Sequence, residues 1–478
     1  MLIDALRTAS AAELLEAILG SDSSLEPLKG LLVARAEGNP FFLEESIRTL
    51  VETKTLVGDV GAYRQIRSLD TLQIPGTVQA IIAARIDRLA PEDKRLLQAA
   101  SVIGKDVLLG LLEVIADMGD DKLHQCLARL QAAEFLYEAG LFPEIEYTFK
   151  HALTHEVTYG GLLQERRRVL HAQIVEAIER LYADRLSEHI ERLALHARHG
   201  EVWEKAVKYL RQAGVRATER CAHREAVAYL EQALSALGHV PLTRDAQEAG
   251  IDIRLVLIAP LLGLGELERR LTSLREAQQL AEVLGDVRRV AHTLSCMTLA
   301  LTHAGRTEEA VLIGQRCAEL TDGLEDPILQ IVARHDLGQA EWAFGAFRKA
   351  AERLRVNIQA LQGQLSRERS PGMGPFPAVL SRFYLSRCLV ELGELRDAEA
   401  IIEEAVGIAD TLDDPWSRVL SYLAKAEIDI HRRDATRMLS ASARALELCA
   451  AHVPFLFAIA ASTHGLSLIH ISEPTRPY

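Results

Sequence analysis

His151 and His155 stand four residues apart, with Glu156 beside the second and His171 further along. On a helix this spacing puts both imidazoles on one face, an arrangement that can ligate zinc. The pattern is not H-E-x-x-H, because no Glu follows the first His, and no third ligand is placed by spacing. A second chemistry would need a loop that cradles phosphate. The sequence has no G-x-x-x-x-G-K-[ST], since Gly104-Lys105 is followed by Asp106 and Ala99 stands where the first Gly belongs. No strand-borne acidic Mg²⁺ motif is recognisable either. Arg166-Arg167-Arg168 ahead of His171 would suit nucleic acid. However, the helices over residues 77–133 carry Asp87, Glu92, Asp93, Asp106, Glu113, Asp117, Asp120 and Asp121, and an acidic face repels phosphate.

The most informative stretch is Ala36-Glu37-Gly38-Asn39-Pro40-Phe41-Phe42-Leu43-Glu44-Glu45. Gly38 is free in φ, while Pro40 fixes its own φ and restricts Asn39 to extended backbone. Pro40 then suits the first turn of a helix whose apolar side is Phe41, Phe42, Ile47 and Leu50. Around it, the periodicity predicts helices over Ala11 to Ile18 and Leu25 to Ala36, then four helices over 77–89, 91–103, 106–116 and 119–133. Gly58 to Leu72 is polar and irregular, with short strands expected around Tyr63 to Ile66. Phe135-Leu136-Tyr137 and Ile145 to Phe149 alternate apolar and polar residues around Gly140 and Pro143, which predicts a β-hairpin.

Beyond Glu165 the pattern is helical and repetitive. Gly305 to Ala310, Gly345 to Ala350 and Gly393 to Ala398 share G-x-x-x-x-A, and Gly265, Gly305 and Gly345 are 40 residues apart. Breaks recur at Leu284-Gly285-Asp286, Leu324 to Pro327 and Leu412 to Pro415. The wider second interval places extra residues in the Pro/Gly-rich loop Ser366 to Pro377. A fixed period of this size means helix hairpins stacked into an α-solenoid, with Gly at the tight turn and Ala where the second helix approaches the first.

Ala and Leu dominate the 478 residues and aromatic content is only 5%, a mix that favours helix over sheet. A net charge of −13 argues against broad binding to nucleic acid or an anionic membrane. The six cysteines are scattered without a C-x-x-C pair and read as buried thiols in a reducing compartment. The longest apolar run, Leu255 to Leu264, is too short to span a bilayer, and no signal-peptide pattern opens the chain. A cytoplasmic location is the expectation.

The Gly-Asn-Pro stretch, with Ile74-Pro75-Gly76-Thr77-Val78-Gln79, Ile82 to Leu89, Pro91 to Leu97 and Ala99 to Gly104, resembles the lid and winged-helix region of bacterial signalling ATPases of the STAND class. The branch it most resembles carries class III adenylate/guanylate cyclase domains ahead of the ATPase. The likeness runs from about residue 1 to about 240. It implies a mainly all-α fold: a helical lid (1–73) following a nucleotide-binding domain, a winged helix with a small β-hairpin (74–164), and tetratricopeptide-like repeats (165–465). It also implies that Gly38, Asn39 and Pro40 lie near the adenine of ATP or ADP and that His151 reads the β-phosphate. Ala152 stands where the family usually has Asp, which removes half of that latch.

The chain by itself is then no enzyme and binds no cofactor, while ATP/ADP with Mg²⁺ belongs to the implied longer protein. Its expected partners are a nucleotide-binding domain in cis and a protein or small-molecule effector on the repeat face. Two other classes fit the sequence: a transcription activator whose repeats precede a helix-turn-helix, and a plain interaction scaffold. Met1 to Leu6 resembles the close of a nucleotide-binding domain. Leu466 to Arg476 resembles the in-frame translation of a transposase sequencing adapter, so residues 466–478 are expected to lie outside the natural fold, which would end near Gly465.

Overall fold

The computed structural model describes residues 5–66, 75–140, 144–369, 375–453 and 456–472. Ile74 of the Ile-Pro-Gly turn, Pro143 of the expected wing, and residues 370–374 of the Pro/Gly-rich loop lie outside them. The fold is all-α with helical repeats, and it divides into two compact units at Gln212/Ala213, within the helix Trp203–Glu219.

The first unit opens with α1 (Thr8–Leu19), α2 (Glu26–Ala36) and α3 (Pro40–Glu52). Asn39 caps α3, its Oδ1 accepting from the N–H groups of Phe41 at 3.0 Å and Phe42 at 3.4 Å. A two-stranded ladder follows, β1 (Leu56–Val57) against β2 (Arg64–Gln65). Then come α4 (Val78–Asp87), α5 (Pro91–Ile103), β3 (Asp106–Leu108), α6 (Leu109–Ala116) and α7 (Asp120–Ala132). The hairpin β4 (Leu136–Gly140) and β5 (Glu146–Phe149) precedes α8 (Ala152–Gly160), α9 (Gln164–Leu181) and α10 (Ile190–His199).

One difference from the sequence reading lies at 106–108, which is a strand rather than the start of a helix. It pairs antiparallel with β5, Val107 opposite Tyr147, so the sheet has the order β3-β5-β4. Val107 to Leu112 is apolar almost throughout and reads equally well as helix. The strand is fixed by a partner distant in the chain, not by local pattern.

The second unit begins inside α11 (Trp203–Glu219) and continues through α12 (His223–Leu237) and α13 (Arg244–Gly263). Then come α14 (Leu267–Leu284), the hairpin of α15 (Val287–His303) with α16 (Thr307–Asp322), the hairpin of α17 (Pro327–Phe344) with α18 (Phe347–Ala360), and α19 (Pro377–Glu391). The last are α20 (Leu395–Leu412), α21 (Pro415–Arg432), α22 (Ala435–His452) and α23 (Phe457–Ser472). From α12 on each helix packs on the next, and α15, α17, α19 and α21 also pack on the next but one, which is the contact pattern of a solenoid. Gly265, Gly305, Gly345 and Gly393 all turn with positive φ, between 72° and 90°. Five residues on, Ala310, Ala350 and Ala398 are fully buried. Aspartates cap the helices that open successive repeats: Asp286 accepts from Arg289 N–H, Asp326 from Leu329 N–H and Asp414 from Ser417 N–H, at 2.8–3.1 Å. The backbone of α23 runs on through 466–472, the first part of the adapter-like segment, while 473–478 lie outside the described residues.

Candidate functional site

The start of α3 and the start of α8 meet. The ring of Phe41, the second residue of α3, lies 4.0 Å from the ring of His151, centroid to centroid, tilted by 47°. His151 caps α8 in extended backbone, with φ −135° and ψ 140°, so it stands outside the helix while His155 stands within it. Its Nε2 is buried and accepts or donates no hydrogen bond among the described residues. Burial, then the neighbouring Lys150, holds this imidazole below its ordinary range, against the opposing pull of Glu45 and Glu44. A neutral ring with one unsatisfied buried nitrogen is poised to make one more hydrogen bond.

Gly38, Asn39 and Pro40 each have a local role at this place. Gly38 has φ +80°, its carbonyl accepts from Leu6 N–H at 2.8 Å, and a Cβ would sit 2.6 Å from the Leu6 carbonyl oxygen. Its smallness is therefore used against the chain's own backbone. Asn39 is the cap described above, and Pro40 is exposed at the first position of α3. The structure thus brings the Gly-Asn-Pro turn and His151 together through Phe41.

Beneath that turn a set of buried charges fixes α3. The Arg85 guanidinium on α4 bonds Glu45 at 2.5 Å, Glu52 at 2.5 and 2.9 Å and the Ala133 carbonyl at 2.8 Å, and lies 4.6 Å above the Phe135 ring. Arg48 of the same helix bonds Glu45 at 2.8 Å and reaches Glu134, which also receives Lys150 beside His151. Sequence reading missed this network. The links that join α3 to the rest, from Arg85 to Glu45 and Glu52 and from Arg48 to Glu134, span 33 to 86 residues, with no local signal linking them.

The histidines lined up as zinc ligands do not converge. His155 bonds the Ser101 carbonyl at 2.9 Å, and His171 lies between Tyr159 Oη at 3.0 Å and His196 Nδ1 at 2.8 Å. Among the described residues, no group of three or more His, Cys, Asp or Glu side chains is placed to hold a metal ion. Two arginines of the basic run are engaged within the protein: Arg167 bonds the Gly160 carbonyl and covers the Tyr159 ring, while Arg168 pairs with Glu165. No helix among the described residues is long and apolar enough to cross a membrane.

Fold and site together describe a mainly α-helical protein in which a small three-stranded antiparallel sheet precedes helical repeats. No family model matches the chain, and no curated protein matches it. Among solved structures it is similar to a Signal Transduction ATPase with Numerous Domains (STAND) protein with a tetratricopeptide repeat sensor from Pyrococcus horikoshii, at 14% identity and a TM-score of 0.49. That alignment covers 97% of this chain and 63% of the other, so the chain spans less than two thirds of that protein's length. It is also similar to a tetratricopeptide repeat protein from Parabacteroides merdae, at 14% identity and a TM-score of 0.42 over 62% of this chain and 98% of that one. A Rap protein complexed with Competence and Sporulation Factor gives 12% identity and a TM-score of 0.39 over 67% of this chain and 94% of that one. These likenesses assign no function.

Proposed function

We propose that this chain is the regulatory part of a nucleotide-dependent signalling switch, in which the first unit completes a nucleotide site and the repeats receive an effector. The supporting observation is the buried, unpartnered Nε2 of His151, held against Phe41 at the capped start of α3. In this reading His151 donates to a phosphate oxygen, Gly38-Asn39-Pro40 borders the base, and a separate domain supplies the phosphate loop and Mg²⁺ ligands. The nucleotide biases the closed against the open arrangement of that domain, and the repeats add the effector's preference. A cyclic-nucleotide cyclase as the output follows from the family resemblance and is part of the same proposal.

One hydrogen bond contributes about 0.5–1.5 kcal/mol net, and even millimolar affinity needs about 4 kcal/mol. The chain alone should therefore bind neither ATP nor ADP measurably. Calorimetry tests this directly, and micromolar binding by the 478-residue chain would overturn it. With the proposed nucleotide-binding domain joined to the chain, His151→Ala should weaken ADP more than ATP, or raise basal output. Equal affinities and unchanged output would instead favour the second reading, a protein-interaction scaffold, which the solenoid of α13 to α22 supports independently.

A further inference from the structure

The repeat unit buries two opposite charges that do not pair. Arg270 on α14 occupies the place, five residues after the turn glycine, where later repeats carry Ala310, Ala350 and Ala398. Like those alanines it is buried, only 3% exposed, yet its side chain makes no hydrogen bond or ion pair with any described residue, and its Nε is buried and orphaned. Asp336 on α17 is 4% exposed, accepts a hydrogen bond from Ser295 Oγ, and pairs with no cation among the described residues. Beside it, His335 is 1% exposed with neither ring nitrogen partnered.

Arg270 and Asp336 both approach one stretch of α15, which packs on both α14 and α17, while the His335 ring lies against Tyr384 of α19. The Cys296 thiol on α15, pushed up to about 12 mainly by burial, is acted on by both charges, raised further by Asp336 and lowered by Arg270. Two turns along, His303 is held below its ordinary range by burial and by Arg270. Its Nε2 meets the side-chain amide of Gln339, nearly one turn beyond Asp336, at 3.3 Å. Burial pushes the Asp336 carboxyl up to about 7 and pulls the Arg270 guanidinium down.

A buried ionisable group without a counter-group costs free energy whether it stays charged or neutralises, so a fold that retains a basic and an acidic one without joining them is incomplete at that place. Packing gives no reason for an arginine where the period calls for alanine. We propose that the repeat unit binds a small zwitterion, an amino acid or short peptide, with its carboxylate on Arg270 and its ammonium on Asp336. His303 and Gln339 offer the remaining hydrogen bonds. This rests on the reading of the repeats as the effector-receiving part and gives that effector a chemical class.

The test is calorimetry on the full chain without nucleotide, using glycine, β-alanine, 4-aminobutyrate and triglycine, with acetate and methylammonium as single-charge controls. At least one zwitterion should bind at least about tenfold more tightly than either control. Arg270→Ala and Asp336→Asn should each weaken it at least about tenfold, since each strands one buried charge of the ligand. Arg270→Ala installs the residue of the other repeats, so it should fold and melt no lower than the parent. The proposal is overturned if no zwitterion binds, if acetate or methylammonium binds as well, or if Arg270→Ala leaves binding unchanged. No nucleotide enters these measurements, so their failure leaves the His151 reading standing, and failure of that reading leaves them untouched.

Discussion

Arg85 and Glu45 form a 2.5 Å ion pair with side chains only 2% and 3% exposed, joining α4 to the helix that begins at Pro40. The same guanidinium holds Glu52 two turns further along α3. Because α3 carries Phe41 at its other end, the angle at which that helix leaves α4 decides where the Phe41 ring meets His151. The pair thus connects the interior of the first unit to the candidate nucleotide site.

Arg85→Met should destabilise the first unit by about 3–5 kcal/mol, because it removes the buried partner of Glu45 and leaves that carboxylate with the half-buried Arg48 alone. Replacing both members, with Arg85→Met and Glu45→Leu, should recover much of that loss. Denaturant titration of the single and double variants checks this. Equal stability of the single variant and the parent would mean that the Arg48 pair alone suffices for Glu45.

Ala350→Phe should cost about 1–3 kcal/mol or more, because the added ring has no room between the helices of its hairpin. The closeness is visible in the same hairpin, where a Cβ on Gly338 of α17 would lie 3.0 Å from Leu354 of α18. Thermal unfolding of the variant gives the answer, and a melting point equal to the parent's would remove the close-approach argument.

The repeats were legible because glycine and alanine recur with a period that no other structure imposes. Two hairpins escaped that pattern for a physical reason. Cys221 and Arg433 take the left-handed turn at φ 58° without being glycine, each with a buried residue, Ala226 and Met438, five positions on. Counting 40 from Gly393 leads to Arg433, so the period was a signal that residue type concealed. At the candidate site, Asn39 as a cap before Pro40 could be read locally. The Phe41–His151 contact and the Glu45–Arg85–Glu52 cluster could not, because partners on different helices leave no trace in local periodicity. His151 was singled out by family resemblance, and no spacing in the chain would have chosen it over His155.

Acid should unfold the first unit through His171 and His196. Burial chiefly holds them down, to about 4 and about 3, with His199 and Arg167 acting on the first and His171, Arg192 and His199 on the second. With folded values below the ordinary one, the unfolded chain binds more protons, so this stability is present above about pH 6.5 and is lost as pH falls toward 4 and 3. Denaturation midpoints across that window should fall in the parent and flatten in His196→Met. An unchanged slope in the variant would place the acid sensitivity elsewhere.

Arg433→Gly should stabilise the second unit. A side chain in the left-handed region costs about 1–2 kcal/mol, and glycine removes that strain while giving back about 0.5–1 kcal/mol through the freer unfolded chain. The expected net gain is about 0.5–1 kcal/mol, the difference of those two effects. Asp434 should go on capping α22 by accepting from Arg437 N–H at 3.1 Å, since its position depends on the turn and not on the Arg433 side chain. Arg433→Val should move the other way, because a β-branched residue suffers most at positive φ. The order of melting points, Gly above Arg above Val, checks the argument. A drop on Arg433→Gly would mean that the arginine side chain, rather than the turn, holds the last hairpins together.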